Sequence, residues 1–510
     1  MGDPGVQGVQ AEVHLGDDLA DEIPFADCHG QKWFQDDGAI MRDVNGPYHY
    51  RSWTQKTPTD TNWCEGYNVD ASISRLDVFL MMFPPKQLTS IVLYTNRELE
   101  LLNKRKSSKS EILRFFGYII LCTKYEFSAR ASLWSEAPPT KYEKAPAFGR
   151  FGMPRARFDE LWRSIRFGDQ PKVRPVGMSP ERYRWLLVDE FVNNFNEYRA
   201  KTFTPSDLIC VDESISRWYG QGGEWINHGL PMYVAMDCKP ENGCEIQNAA
   251  CGRSGVMIRL KLVKTATEAE ALGSTEDESG ILHGTKVLKE LIEPWVFSNR
   301  MVCADSYFAS VGSAEELLKL KTRFIGVIKT ATRRFPMQQL STVELQQRGD
   351  RFGLVSRSAD GVPYLLAFVW MDRDRRYFIA SGSSLSDGTP IVRQRWRQIG
   401  DDPEADPTRV ELTIPQPKAA ETYYTACSKI DQHNRHRQDT LMLERKLVTT
   451  DWSRRVNLSI FAICLVDAWQ VYNKMTYVDP KTEGRETQKD FYGHLAAELI
   501  DNNYDHIGGR

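Results

Sequence analysis

Two aspartates each follow a short apolar run, an arrangement that presents rigid carboxylates at the edge of a sheet. Asp212 follows residues 208–211, and Asp305 follows residues 301–304. Because such runs predict buried strands, adjacent strand ends would bring the two carboxylates together. Carboxylate oxygens are the ligands that Mg²⁺ prefers, and two such ions can hold both reacting oxygens of a phosphodiester. The alternative for each aspartate taken alone is a turn or cap residue.

A third acid is expected from a helix packed beside that sheet edge. Asp431 and Asn434 are three positions apart, so both lie on one helix face with an oxygen available to a metal ion or its water. The alternative for this segment is an ordinary solvated helix face. The spacing of Cys427, His433 and His436 matches no closed zinc site, and we interpret these residues as part of a polar, exposed face.

Basic residues that suit phosphate contacts are spread over several parts of the chain. They lie on a predicted helix after Pro154, in the runs 321–334 and 393–397, and close to Asp431. The run 393–397 interleaves a tryptophan with arginines, a pattern suited to phosphate contact or base stacking. A merely solvated surface is the alternative for each set. The residues assigned to DNA binding are Arg155, Arg157, Lys329, Arg333, Arg334, Arg393, Arg395, Arg397, Arg435 and Arg437.

The composition is that of a globular protein. The 510 residues are 41% hydrophobic and 26% charged, which excludes collagen-like, coiled-coil and wholly disordered classes. A formal net charge of −3 argues against a nucleic-acid ligand only if the charge is spread evenly. Residues 1–31 contain seven acids and no Lys or Arg, so the rest of the chain carries +4.

The cysteines and apolar segments restrict the cellular setting. The ten cysteines include no CxxC pair, which indicates reduced thiols in an intracellular compartment rather than a zinc ribbon or a redox motif. The N-terminus is acidic and unlike a signal peptide, and the most apolar segment, residues 456–472, is short for a membrane span. We therefore expect a soluble protein with no membrane partner.

The hydrophobic patterns divide the chain into five segments. Residues 1–78 are polar and acidic and are expected to be disordered. Residues 79–204 show helical periodicity with a basic surface, whereas residues 205–330 change to short apolar strands that alternate with helices. Residues 331–417 contain strand-like pieces among charged loops, and residues 418–510 return to helices. The fold class expected from this order is α/β with a mixed sheet.

Short motifs occur in a fixed order between residues 80 and 500. They are Tyr94-Thr-Asn96, Glu111-Ile-Leu-Arg-Phe-Phe-Gly-Tyr118, Leu133-Trp-Ser135, Arg155-Ala-Arg-Phe158, Ile165-Arg-Phe-Gly-Asp169, Val211-Asp-Glu-Ser214, Cys303-Ala-Asp-Ser-Tyr-Phe308, and Ile430-Asp431 followed by an apolar helix over 458–472. Together they resemble the PiggyBac family of DDE transposases and their transposon-derived descendants. Each motif is short, and their joint order and spacing make the match specific.

The resemblance implies an RNase H-like catalytic core split by an insertion domain and preceded by a helical DNA-binding and dimerisation domain. It implies that Asp212, Asp305 and Asp431 form the catalytic triad and hold two Mg²⁺ ions, with Asn434 as a further ligand. The implied reaction is hydrolytic nicking at transposon ends, followed by attack of the freed 3′-hydroxyl on target DNA at TTAA. The implied partners are double-stranded DNA and a second copy of the chain, and the implied compartment is the nucleus.

Three departures from the family pattern define the alternatives. Asn434 stands where members often have a second aspartate, residues 238–245 are less basic than the usual stretch, and no Cys-rich zinc module follows the last predicted helix. The three aspartates favour an active transposase. The missing module favours a domesticated, transposase-derived DNA-binding protein without catalytic activity. A nuclease that cleaves DNA without joining it is a third hypothesis.

Overall fold

The structure is a computed structural model that describes residues 24–36, 73–127, 129–218, 229–235, 242–265, 281–330, 332–359, 361–397, 408–475 and 486–504. The strands, numbered β1 to β13, are Ala26–Cys28, Gln31–Gln35, Leu208–Arg217, Val234–Ala235, Asn242–Cys251, Met257–Leu262, Met301–Ala304, Arg323–Ile328, Arg351–Arg357, Pro363–Met371, Arg375–Ala380, Ile391–Arg397 and Thr408–Ile414. The α-helices, numbered α1 to α13, are Arg75–Met82, Pro85–Leu101, Lys109–Cys122, Arg155–Ser164, Pro180–Thr202, His283–Ile292, Val311–Lys319, Met337–Thr342, Lys418–Ala426, Lys429–Arg435, Leu443–Lys446, Trp452–Met475 and Gln488–Ile500.

The chain divides into two compact units. The insertion unit comprises Met1–Tyr50 and Val327–Glu421, and the core unit comprises Arg51–Gly326 and Thr422–Arg510. The segment predicted as an insertion, residues 331–417, lies within the first unit. The helices predicted as a separate N-terminal domain belong to the same unit as the core sheet.

The core unit contains a mixed sheet whose strand order is β6-β5-β3-β7-β8, with β4 also paired to β5. Strands β3, β5 and β6 are antiparallel, whereas β3, β7 and β8 are parallel. Two parallel strands that are neighbours in a sheet need a crossover connection. Helix α6 lies in the connection that leads into β7, and helix α7 lies in the connection from β7 to β8. All four residues of β7 are buried, as expected for a strand covered on both faces. The mixed α/β prediction is confirmed.

Helices from both ends of the chain pack together in the core unit. Helix α10 contacts β3 and β5, α12 contacts α1 and α5, and α13 contacts α1 and α3. The approach of α13 to α3 requires a glycine, because a Cβ at Gly117 would lie 2.8 Å from the Ala496 carbonyl oxygen. Among the described residues, no single helix is long and apolar enough to cross a membrane. The pair α1 and α2, bent by 86° where they meet, has the length and composition of a membrane span only when the two helices are taken together.

The insertion unit is built on an antiparallel sheet of strand order β1-β2-β9-β10-β11, and β12 and β13 form a separate two-stranded ribbon. Its first hairpin comes from the tail predicted to be disordered. Trp33 is fully buried, and its Nε1 donates to the Arg334 carbonyl oxygen at 2.9 Å. Disorder is therefore wrong for residues 24–36, because one large aromatic ring supplies the buried surface that the polar composition conceals. Residues 1–23 and 37–72 of that tail lie outside the described residues.

Candidate active site

The parallel pairing of β3 with β7 places Asp212 beside Asp305. The register pairs Val211 with Ala304, so the next position on each strand is an aspartate. Neighbouring strands in a sheet lie about 4.8 Å apart. Both aspartates are half-buried. The sheet thus carries two adjacent carboxylates at the end of this pairing.

Each of these aspartates has one carboxylate oxygen fixed by a backbone N–H. Asp212 Oδ1 accepts from Glu213 N at 2.8 Å, and Asp305 Oδ1 accepts from Tyr307 N at 2.9 Å. The hydrogen bond between Asp305 and Tyr307 closes a turn that follows the end of β7. Strand β3, by contrast, continues to Arg217 because its antiparallel partner β5 continues beside it. The prediction that Asp212 follows the end of its strand is therefore wrong: it lies where β3 loses only its pairing with β7.

The third predicted acid, Asp431, lies exposed on α10, which packs against β3 and β5. The acids act electrostatically on two cysteines, one on β7 and one just before α10. Burial and then the charges of Asp212 and Asp431 raise the pKa of the Cys427 thiol to about 12. Burial, neighbouring thiols, and then Asp212 and Asp305 also raise the pKa of the Cys303 thiol. Asp212 thus acts on both thiols, Asp305 on one and Asp431 on the other, and the catalytic role of the three acids stays a prediction.

A fully buried polar network holds α10 in place. Asp467 Oδ1 lies 3.2 Å from His433 Nε2 and accepts from Met257 N at 2.8 Å, and Asp467 Oδ2 accepts from Arg199 Nη2 at 2.8 Å. Burial lowers the pKa of His433 despite the neighbouring carboxylate, so the imidazole is neutral and donates through Nε2. The prediction of an exposed face at His433 is wrong. The signal that sequence reasoning passed over is a lone aspartate inside the apolar run of α12.

The donor chemistry of the site suits a hard divalent cation. Asp212, Asp305 and Asp431 offer carboxylate oxygens, as Mg²⁺ prefers. Asn434 Oδ1 accepts a 3.4 Å hydrogen bond from Arg437 Nη2, so this amide has a protein partner. Within the described ranges, no three His, Cys, Asp or Glu side chains are grouped closely enough to hold a metal ion. Ligation of Mg²⁺ by Asp212, Asp305, Asp431 and Asn434 stays a prediction.

Comparison with known proteins identifies the family. The sequence profile described as Transposase IS4 matches residues 74–469, well over half of the chain. The chain belongs to this transposase family. The transposase has a fold similar to a cryo-EM structure of a piggyBac transposase synaptic complex with hairpin DNA, with a TM-score of 0.61 and 19% identity over 88% of this chain and 83% of that chain. The predicted piggyBac resemblance and RNase H-like core are confirmed. No curated protein sequence matches this chain.

Two of the arginines that we assigned to DNA are buried in the transposase's core unit. Arg157 forms ion pairs with Glu111 at 2.7 Å and Glu160 at 3.1 Å. Arg437 is 1% exposed and forms an ion pair with Glu444 at 3.1 Å. Both guanidinium groups hold elements of the core together, so the structure does not support their assignment to DNA. Residue type and helical spacing alone do not show which arginines face inward.

The other basic residues assigned to DNA keep surface exposure. In the core unit, Arg155 and Arg435 are exposed. In the insertion unit, the exposed or half-buried members are Lys329, Arg333, Arg334, Arg393 and Arg395. Of these, Arg393 forms an ion pair with Asp372. Arg397 ends β12, and its side chain lies outside the described residues. Contact of these residues with DNA stays a prediction.

Sequence reasoning missed one group of cations in the transposase. Arg130 and Arg454 place their guanidinium carbons 5.0 and 5.3 Å from the ring centroid of Trp162. These residues come from three distant segments of the chain, so no sequence motif predicts that they lie together. The available signal was the helical periodicity of residues 155–166, which places Trp162 and its neighbouring arginines on one segment.

Proposed function

We propose that this transposase excises and joins DNA by phosphodiester hydrolysis and strand transfer, with Asp212, Asp305 and Asp431 as its catalytic carboxylates. One observation supports the proposal most strongly: the parallel register sets Asp212 beside Asp305, and the helix that carries Asp431 packs on the same strand. One carboxylate thus lies on strand β3, the second directly follows strand β7, and the third lies on a helix anchored through buried His433.

The proposed reaction has two steps. In the first, the oxygen of a water molecule forms a bond to phosphorus at the transposon end, and the bond from phosphorus to the 3′ oxygen breaks. That oxygen takes up a proton and leaves as a 3′-hydroxyl. In the second step, this hydroxyl loses its proton to solvent and bonds to a target phosphorus, and the target's own 3′ oxygen leaves as a hydroxyl. We propose TTAA as the target sequence.

The protein's contribution to both steps is positioning. The Glu213 and Tyr307 N–H groups each hold one oxygen of an aspartate and so fix the orientation of that carboxylate. Asp212, Asp305 and Asp431 would hold two Mg²⁺ ions, with Asn434 as a further ligand, and bound ions of this kind activate a nucleophile and stabilise a leaving oxygen.

We also propose duplex DNA as the partner, a homodimer as the acting form and the nucleus as the compartment. The similarity to a transposase captured in a synaptic complex with hairpin DNA supports the first of these. The basic stretch 103–109 is exposed over most of its length, as a nuclear import signal must be.

A specific contact favours the second candidate, a transposase-derived DNA-binding protein without catalysis. Asn434 Oδ1 is engaged by Arg437, which is itself fixed by Glu444. In this alternative the three aspartates support the fold and do not catalyse a reaction.

The test uses the full chain with a plasmid that carries the genomic sequences flanking its coding region, each bounded by TTAA. We expect Mg²⁺-dependent nicks and joined products in the wild type and neither in Asp305→Asn, with equal DNA affinity. Equal binding with no cutting by either protein would establish the non-catalytic alternative. Nicks without joined strands would identify a nuclease.

A further inference from the structure

Six cationic residues group around Trp162 and an adjoining cavity in the core unit. Arg130 and Arg454 lie at the tryptophan ring, Arg166 donates to the carbonyl oxygen of Arg163, and Arg445 and Lys446 share a cavity with Arg130. The members of this Trp162 cluster are Arg130, Arg163, Arg166, Arg445, Lys446 and Arg454. Trp162 carries two guanidinium groups over its ring, those of Arg130 at 5.0 Å and Arg454 at 5.3 Å. Arg454 Nη2 also donates to the Arg163 carbonyl oxygen at 3.4 Å. Cation–π contacts of this kind fix the rings and the charges in one arrangement.

A surface cavity joins Arg445 and Lys446 to Arg130. It has a volume of about 450 Å³ and is lined by the cations Arg130, Arg445 and Lys446 and by one acid, Glu126, together with apolar residues. Arg130 therefore contacts the tryptophan and also lines the cavity. A volume of this size admits a phosphodiester group with its water.

The cluster has fewer acidic partners than cations. Arg130 is paired with Asp159 at 3.1 Å and Arg166 with Glu98 at 3.1 Å. Arg163 and Arg445 are exposed and form no ion pair within the described ranges. Lys446 is paired only with Glu126, whose side chain is 91% exposed and thus well screened. The contact of Arg454 with Asp451 is long, at 3.8 Å. An anion would therefore find unshared positive charge here.

Arg454 is a buried positive charge with other positive charges close to it. Its side chain is only 13% exposed, and its Nε has no hydrogen-bond partner in the part of the chain that the structure describes. Burial, and then the charges of Arg166 and Arg130, lower its pKa despite Asp451. A bound anion would reduce this repulsion and compensate the burial of charge.

We infer that the Trp162 cluster binds the phosphate backbone of duplex DNA beside the acidic site, an inference that rests on the proposed function. The cations come from separate segments and surround an open cavity, which suits a series of phosphates better than a single enclosed anion.

The chain geometry sets the distance from the acidic site. Helix α10 continues directly into a π-helical turn, His436–Leu441, and the chain turns at Met442 into α11. Arg445 is fourteen residues after Asp431. At 1.5 Å per residue a straight helix would span about 20 Å, or roughly six base pairs at 3.4 Å each, and the turn at Met442 makes this an upper limit. The contacted phosphates should lie within about that distance of the phosphodiester at the acids.

The test compares the double variant Arg163→Gln, Arg445→Gln with the single variant Lys201→Gln. All three side chains are exposed and form no described ion pair, so the fold should be retained, as checked by circular dichroism. Lys201 lies at the C-terminal end of α5, ahead of the strand that carries Asp212, and provides a control for the removal of a positive charge. Binding of a labelled duplex is measured by fluorescence anisotropy across salt concentrations with the full chain.

We expect the double variant to bind at least about tenfold more weakly and to lower the slope of log K against log salt by about 2, one unit for each phosphate that is no longer neutralised. Lys201→Gln should match the wild type. Equal affinity of the double variant and Lys201→Gln would overturn the site and leave the proposed transposase intact. A wild type that binds no duplex DNA would overturn both. Inorganic phosphate that stabilises the wild type as much as duplex DNA does would show a small-anion site and overturn the inference.

Discussion

His433 Nε2 lies 3.2 Å from Asp467 Oδ1, and both side chains are fully buried. The pair joins α10 to the long helix α12 two residues after Asp431. Asp467 also accepts from Arg199, which donates to the carbonyl oxygen of Met82 at 2.8 Å. The position of the third acid therefore depends on a polar network that touches three other parts of the core unit.

Loss of Asp467 should be costly. The change Asp467→Ala leaves the Arg199 charge buried without its carboxylate, and we expect it to lower the free energy of unfolding by about 3–5 kcal/mol. Urea denaturation followed by circular dichroism measures the change. Asp439→Asn, at an exposed acid of the neighbouring π-helical turn, is the matched control and should change stability little. Similar losses in the two variants would argue against the network.

The stability of the protein should fall in mild acid because of His433. Its pKa in the folded state is lowered by burial, so the unfolded chain binds a proton more readily near pH 6.5. Stability from the neutral imidazole is thus present above that pH and is lost as pH falls, by up to about 1.4 kcal/mol per pH unit. The variant His433→Gln should lose this component of the pH dependence. An unchanged profile in the variant would assign the acid sensitivity to other groups.

Two arginines two positions apart on α4 should behave differently. Arg157→Gln removes buried ion pairs to Glu111 and Glu160 and should destabilise the protein by about 3 kcal/mol. Arg155→Gln removes an exposed charge and should leave stability nearly unchanged. Thermal unfolding compares them directly. If Arg155→Gln destabilised the protein to the same extent, this would contradict the finding that α4 buries Arg157 and exposes Arg155.

The N-terminal hairpin should be part of the folded insertion unit. Trp33→Ala removes a fully buried ring and the hydrogen bond to Arg334, and we expect a loss of about 3–5 kcal/mol. Phe25→Ala, at a residue that is 48% exposed in the same segment, is the control and should cost much less. Protection of backbone amides in β2 and β9 from hydrogen exchange should fall only in the tryptophan variant.

Sequence patterns predicted the strand that carries Asp212 and the strand that ends before Asp305, because an apolar run before an acid is a local signal. Their adjacency depends on which strands pair and in what register, so the pattern predicts it only if the two strands are neighbours in the sheet. The network around Asp467 was missed because its members are distant in sequence and buried polar groups leave only a weak pattern. Arg157 and Arg437 were assigned to the DNA-binding surface for a related reason. Whether an arginine side chain points inward depends on the acids it meets in the folded protein, and the local sequence does not show them.

The central claim is that the three aspartates act as one site, and the most direct test is the rate of DNA cutting by each single variant and by the triple variant. If Asp212, Asp305 and Asp431 work as a unit, each single change to Asn should reduce the Mg²⁺-dependent rate as far as the triple change does, because losses in such a unit do not add. DNA affinity and thermal stability should stay close to the wild type throughout. An Asp431→Asn variant that cuts at nearly the wild-type rate would contradict the claim, since the helix would then contribute no catalytic acid.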